Sequence, residues 1–208
     1  MTNERQEPLF YRTDKNDHGL PHNPFKAIVA PRPIGWISAV NRKGEINLSP
    51  YSYFNAVGDR PPIVVFSSDG MKDAASFVEE TGEFVCNFVT YELREKMNLT
   101  SAPLPRGQNE MAFAGLTPAP SVLVKPPRVA GAPTALECKL LQIVPLRPLN
   151  GAPATNHLVI GQVVGIHIDE KFLKEGRFDT LAAHPIMRLG YHDYAVATEG
   201  FSMVRPGG

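Results

Sequence analysis

A closed antiparallel β-barrel with helices packed on its outside is the fold this sequence predicts. Three observations carry the prediction. About six β-prone runs recur along the 208 residues, and 20 prolines and 17 glycines cut them short and leave little room for long helices. The first two runs form a hairpin, which breaks the strict strand and helix alternation of a doubly wound parallel sheet. The length suits a single domain, 1–208, with one sizeable core.

In chain order, residues 1–23 read as an N-terminal arm, and IGWISAV and EINLSP then flank the polar loop NRKG as the opening hairpin. PPIVVFSS follows, its continuous apolar run Ile63–Phe66 predicting a strand buried on both faces. DGMKDAASFVEETG places Met71, Ala74, Ala75 and Val78 at helical spacing, with Ser68 or Asp69 as N-cap and Gly82 as the stop. EFVCNFVT alternates as a strand, and Thr90 caps a second helix, YELREKMNL. Residues 101–135 are rich in Pro, Gly and Ala and read as a surface excursion with one short helix at NEMAFAG. ALECKLLQIVPL and HLVIGQVVGIHID are two further strands, followed by a short helix near EKFLKEG, a loop containing HPIMRLGYHDYAV, and an edge segment FSMVRP.

Charge and composition exclude several functions. Lys+Arg and Asp+Glu balance at 21 each, so no global positive field draws nucleic acid. No run of about 18 apolar residues is present and the first seventeen residues lack the apolar core of a secretory signal, so a soluble cytoplasmic protein without a membrane partner is expected. Cys86 and Cys138 lie in alternating apolar runs, as buried structural thiols. His18 and His22 stand four apart, but Gly19 and Pro21 between them forbid a regular helix, and no metal site is expected. The phosphate-loop, dinucleotide-binding, nucleophile-elbow and zinc-protease motifs are all absent.

What remains is a set of polar clusters at strand ends. INLSPYSYFNAV crowds Asn47, Ser49, Tyr51, Ser52, Tyr53 and Asn55 around a proline. SSDGMKD offers the hydroxyls of Ser67 and Ser68, a turn, a helix N-terminus and Lys72, the combination a phosphate monoester needs, although Ser-Ser-Asp before a helix is more often a simple cap. Trp36 reads as core or as a flat wall, and Asn87, on an apolar strand face, as an internally bonded amide or a ligand contact.

PRPIGWISAVNRKGEINLSPYSYFNAVGDRPPIVVFSS, followed by KDAASFVEETGEFVCN and later HLVIGQV, resembles the flavin reductase-like family with the FMN-binding split barrel, in particular its flavoredoxin-like branch, over about residues 24–198. The resemblance implies a six-stranded antiparallel Greek-key split barrel, a noncovalent FMN and a homodimer with the flavin near its interface. It implies that Ser49, Pro50, Tyr51, Ser52 and Phe54 line the ring and its polar edge, and that Trp36 and Ser38 reach the ring or ribityl region. Ser67, Ser68, Lys72 and Asp73 would hold the phosphate, with Arg32 and Arg188 as further phosphate or dimer contacts and His157 facing the substrate. Two positions depart from the family pattern: Ala74 stands where a threonine is frequent and Gln162 where a glutamate is frequent. The implied activity is an NAD(P)H-dependent flavin reductase delivering electrons to oxygen, free flavin or an acceptor protein. An FMN-carrying electron-transfer protein without nicotinamide turnover and a non-catalytic flavin-binding module are the alternatives.

Overall fold

The computed structural model describes residues 8–153 and 155–207; the first seven residues of the expected N-terminal arm lie outside them. Seven strands form the main sheet, one more than the six expected: β1 (Gly35–Val40), β2 (Ile46–Tyr51), β3 (Phe54–Asp59), β4 (Pro62–Asp69), β5 (Glu83–Asn87), β6 (Thr134–Pro145) and β7 (Asn156–Ile168). Their order is β2-β1-β5-β6-β7-β4-β3, and every pairing is antiparallel. The additional strand is β3. Asn55, Gly58 and Asp59 give it a poor local propensity, but it pairs with β4 from Phe54↔Phe66 to Asp59↔Pro62, and that pairing overrides the propensity.

The first and last strands of that order, β2 and β3, are consecutive in the chain and separated only by Ser52 and Tyr53. The sheet must therefore curl until its two edges meet, giving a barrel closed by a chain turn in place of a full ladder. Beside this seam the β3–β4 pairing runs on by one residue, the Ser67 N–H donating to the Tyr53 carbonyl at 2.8 Å.

The pleat fills the barrel. Ile37, Ala39, Phe66, Phe84, Cys138 and Val159 form the interior, and helix α2 (Asp73–Thr81) buries Ala74, Ala75, Phe77 and Val78 against it; α1 is the short Phe25–Ile28 helix. Strand β4 alternates where a doubly buried strand was expected: Val64 and Phe66 are interior, whereas Ile63 and Val65 are half-buried. Gly82 ends α2 in the left-handed conformation at φ 76°. The expected cap by Ser68 or Asp69 is not what starts it. β4 runs on through Asp69, the chain turns at Gly70, and α2 begins at Asp73 with Lys72 at the N-cap position and no side-chain cap.

The outer face of β1 is covered as well. Trp36 and Leu48 pack with Met97, Met111, Leu116 and Val129, all from the segment that follows β5, including α3 (Arg94–Leu99) and α4 (Glu110–Phe113). Cys86 and Cys138 are free and buried, and burial pushes the Cys86 thiol up. Near EKFLKEG a single 3-10 turn, Glu170–Phe172, replaces the expected helix. The expected edge segment FSMVRP forms no strand; that role passes to Ile186–Arg188, which pairs with Arg32–Pro33 on one side and Tyr194–Val196 on the other. Among the described residues no helix is long and apolar enough to cross a membrane.

Gly161 marks the tightest point of the interior. A Cβ there would lie 2.3 Å from Cζ of the fully buried Phe84. Gly161→Ala should therefore lower the unfolding free energy by about 1–3 kcal/mol, read as a reduced urea midpoint with an unchanged slope.

Candidate functional site

The seam that closes the barrel carries a cavity of ≈ 330 Å³. Pro50, Tyr51, Ser52 and Tyr53 enter it from the β2–β3 turn, Ser67 and Asp69 from the end of β4, Lys72 from the start of α2 and Asn156 from the start of β7. Each arrives for a local reason. Strand pairing sets Asn156 opposite Asp69, on the same face as Ser67, and its side-chain amide donates to the Ser67 hydroxyl at 3.3 Å. Gly70, with φ at 82°, reverses the chain so that Lys72 and the uncapped amino end of α2 face the strand ends. Lys26 of α1 completes the rim.

Tyr51 forms the inner boundary, its ring centroid 4.7 Å from that of Phe66. Burial pushes its phenol up to about 12, with the neighbouring Ser68 hydroxyl pulling the other way, so it stays protonated at any working pH. Ser68 is fully buried and donates to the Gly70 carbonyl at 2.7 Å, which fixes the turn.

Of the residues singled out in the sequence, Pro50, Tyr51, Ser52, Ser67 and Lys72 are thus brought together, with Ser68 directly beneath them. Asp73 opens α2 next to Lys72 and lies 3.7 Å from the Arg106 guanidinium. Ser49 is at the adjoining position of β2, its hydroxyl donating to Asn47 Oδ1 at 3.2 Å. Asn47 is itself held by Glu110 at 2.9 Å, a buried carboxylate that also accepts from the Leu48 N–H and whose pKa is raised by burial. Phe54 lies across Gly35, where a Cβ would come within 2.5 Å of its ring.

Others sit elsewhere. Trp36 and Ser38 are on the outer face of β1, beneath the 94–133 segment; the indole N–H donates to Thr100 Oγ1 at 2.9 Å and the Ser38 hydroxyl to the Pro127 carbonyl at 2.6 Å. Asn87 is a satisfied internal amide, donating to the Trp36 carbonyl and accepting from the Val129 N–H. His157 opens β7 opposite Ser68, the next residue after Asn156 and therefore on the other face. Its Nδ1 is 3.0 Å from the Thr155 carbonyl. A carbonyl only accepts, so Nδ1 is the donor in that contact.

Arg32 is a clamp. Its Nη1 donates to the carbonyls of Lys26, Val29 and Leu189, tying α1 to the far end of the chain. Arg188 donates to the Tyr194 hydroxyl and the Tyr191 carbonyl and lines a neighbouring cavity instead of the first one. Sequence reasoning missed Lys26, Asp69 and Asn156. For Asn156 a signal was present: it is the polar residue at the start of a strand that must end beside SSD.

A closed antiparallel barrel with a cationic, hydroxyl-lined cavity at its seam is the architecture these features define. The chain matches the flavin reductase like domain over residues 29–197. It is 36% identical over 183 residues to the uncharacterized protein BH2278 of Halalkalibacterium halodurans, covering 86% of this chain and 87% of that one. It superposes on nitrilotriacetate monooxygenase component B from Bacillus cereus with a TM-score of 0.81 and 34% identity, over 86% and 90% of the two chains. With the 2-nitrobenzoate 2-nitroreductase NbaA of Pseudomonas fluorescens the values are 0.78 and 30%, over 88% and 89%. The chain belongs to the flavin reductase-like family.

Proposed function

We propose that the protein is an FMN-dependent oxidoreductase that accepts electrons from NAD(P)H and passes them on as a flavin reductase. The observation that carries this reading is the seam cavity, where two lysines, an uncapped helix start and several hydroxyls converge beside a buried aromatic wall. That donor set fits a phosphate ester joined to a polyol and a flat ring. Lys72 and the amino end of α2 would neutralise the phosphate. Ser67, oriented by Asn156, and Ser52 would meet the chain hydroxyls. Pro50, Tyr51 and the backbone of the β2–β3 turn would present flat surfaces and amide groups to the ring.

Bound FMN supplies hydride acceptance and release, so no protein acid or base has to act on the reacting atoms. The protein's part is to hold the ring and to keep neutral groups around it. Tyr51, whose phenol does not ionise at working pH, suits that role. His157, whose ring is oriented by its Nδ1 contact to the Thr155 carbonyl, is assigned to the substrate side. A homodimer agrees with the exposed apolar tail, in which Phe201, Met203 and Val204 are 89%, 82% and 87% exposed.

The test is spectroscopic. The purified protein should bind FMN with a perturbed visible spectrum, and anaerobic NADH or NADPH should bleach it. Binding without bleaching by either donor would leave an electron carrier served by a protein partner. A colourless protein with no affinity for FMN would overturn the flavin reading.

A further inference from the structure

Beside the seam cavity lies a second one, of ≈ 460 Å³. The two share Lys26, Ser52 and Tyr53 as a common wall. The second is completed by Arg32, Arg188, His22 and His192, and no carboxylate lines it. Among the described residues none of Lys26, Arg32 and Arg188 has a carboxylate oxygen within ion-pair distance. Three unneutralised cations around one concavity make a local positive field on a chain whose total charge is zero.

The cavity is also built, not incidental. Arg32 is only 7% exposed and its Nη1 donates to three backbone carbonyls, so its charge is held fixed in the cavity wall. The walls are fixed by close packing: α1 rests on Gly190, where a Cβ would come within 2.5 Å of the Ala27 Cβ. Tyr53 spans the boundary, beneath the Arg32 guanidinium at 5.6 Å on one side and facing the first cavity on the other.

We infer that this cavity is an oxyanion subsite for the molecule that exchanges electrons with the flavin, taking a phosphate or a carboxylate of that co-substrate. The inference rests on the reading of the first cavity as the flavin site. It assigns Arg188 to the co-substrate and leaves Lys72 to the flavin. The shared wall places an anion held by Lys26 and Arg188 next to whatever occupies the seam. The same chemistry serves the phosphates of a nicotinamide nucleotide and the carboxylate of an aromatic acceptor.

The experiment uses the full chain saturated with FMN and measures binding of inorganic pyrophosphate and of benzoate by calorimetry. One of the two should bind, and Arg188→Gln should weaken it at least tenfold with FMN affinity unchanged. Lys26→Gln, on an exposed position that cannot disturb the core, should weaken it as well. A rise in KM for NADH or NADPH in Arg188→Gln at constant kcat identifies the nucleotide phosphates as the source. Loss of benzoate binding with unchanged donor KM identifies an acceptor carboxylate. Absence of binding by both probes, or binding that neither variant weakens, overturns the inference. If FMN itself fails to bind, the flavin reading falls, and pyrophosphate binding that depends on Arg188 would still establish the anion site alone.

Discussion

Lys72→Ala should lower the affinity for FMN by about ten- to a hundredfold and leave that for riboflavin unchanged. A charge-assisted contact of a lysine with a phosphate is worth about 1.5–3 kcal/mol, and each 1.4 kcal/mol is about tenfold in a dissociation constant. Lys72 is exposed at the N-cap position of α2 and makes no side-chain cap hydrogen bond, so its removal should cost the fold little. Riboflavin carries the same ring and ribityl chain without the phosphate, which isolates the contact. Fluorescence quenching titrations with both ligands check the result. Equal losses for the two would move Lys72 away from the phosphate, and no loss for either would move it out of the site.

The second large effect belongs to the opposite side of the barrel. Glu137 on β6 is fully buried, yet it accepts hydrogen bonds from the backbone N–H groups of Val122 and Leu123 at 2.7 and 2.6 Å and meets His167 Nε2 at 2.5 Å. One carboxylate thus staples the 121–127 loop to two strands. Burial alone would raise its pKa, but His167 and the two backbone donors outweigh burial and hold it below the ordinary carboxylate value. Glu137→Ala strands two backbone N–H groups and a histidine, and should cost about 3–5 kcal/mol, on the order of 10 °C in Tm. Glu137→Gln should cost less, since an amide oxygen still accepts. A carboxyl with a depressed folded pKa stabilises the protein above its unfolded value and loses that contribution as pH falls through the folded one. The stability gap between the wild type and Glu137→Gln should therefore close as the pH is taken below 4.5, the value of a free carboxyl. Denaturant midpoints at a series of pH values measure it; a gap that widens in acid would mean that Glu137 is held protonated.

Much of the barrel was legible because its strands carry their own punctuation. The β1–β2 hairpin and the run that ends in SSD each combine a period with a stop and stand where the sequence puts them, and the helix closed by Gly82 keeps its stop but starts later, at Asp73. β3 was not legible: FNAVGD has no clean alternation and a single branched residue, Val57, and only the exposed edge of β4 makes it a strand. The site was readable in part for the same reason. Its hydroxyls and Lys72 sit at ends of readable elements, whereas Lys26 and Asn156 arrive from 46 residues before and 84 residues after Lys72, through contacts that no local pattern encodes. Trp36 and Ser38 share a strand face with the right phase. Which side of the sheet that face turns toward depends on where the 94–133 segment lies, and its proline-rich composition does not say.

The Arg32 clamp reaches Leu189 across 157 positions. It imposes an order in time on a chain made from its amino end. The seam cavity can take shape once β7, which joins β6 to β4, has left the ribosome, but the neighbouring basic cavity waits for Arg188 and His192, farther along the chain. A nascent chain can therefore complete the pocket assigned to the cofactor before it completes the one assigned to the reactant. In the proposed reading, the flavin pocket thus comes before the co-substrate pocket.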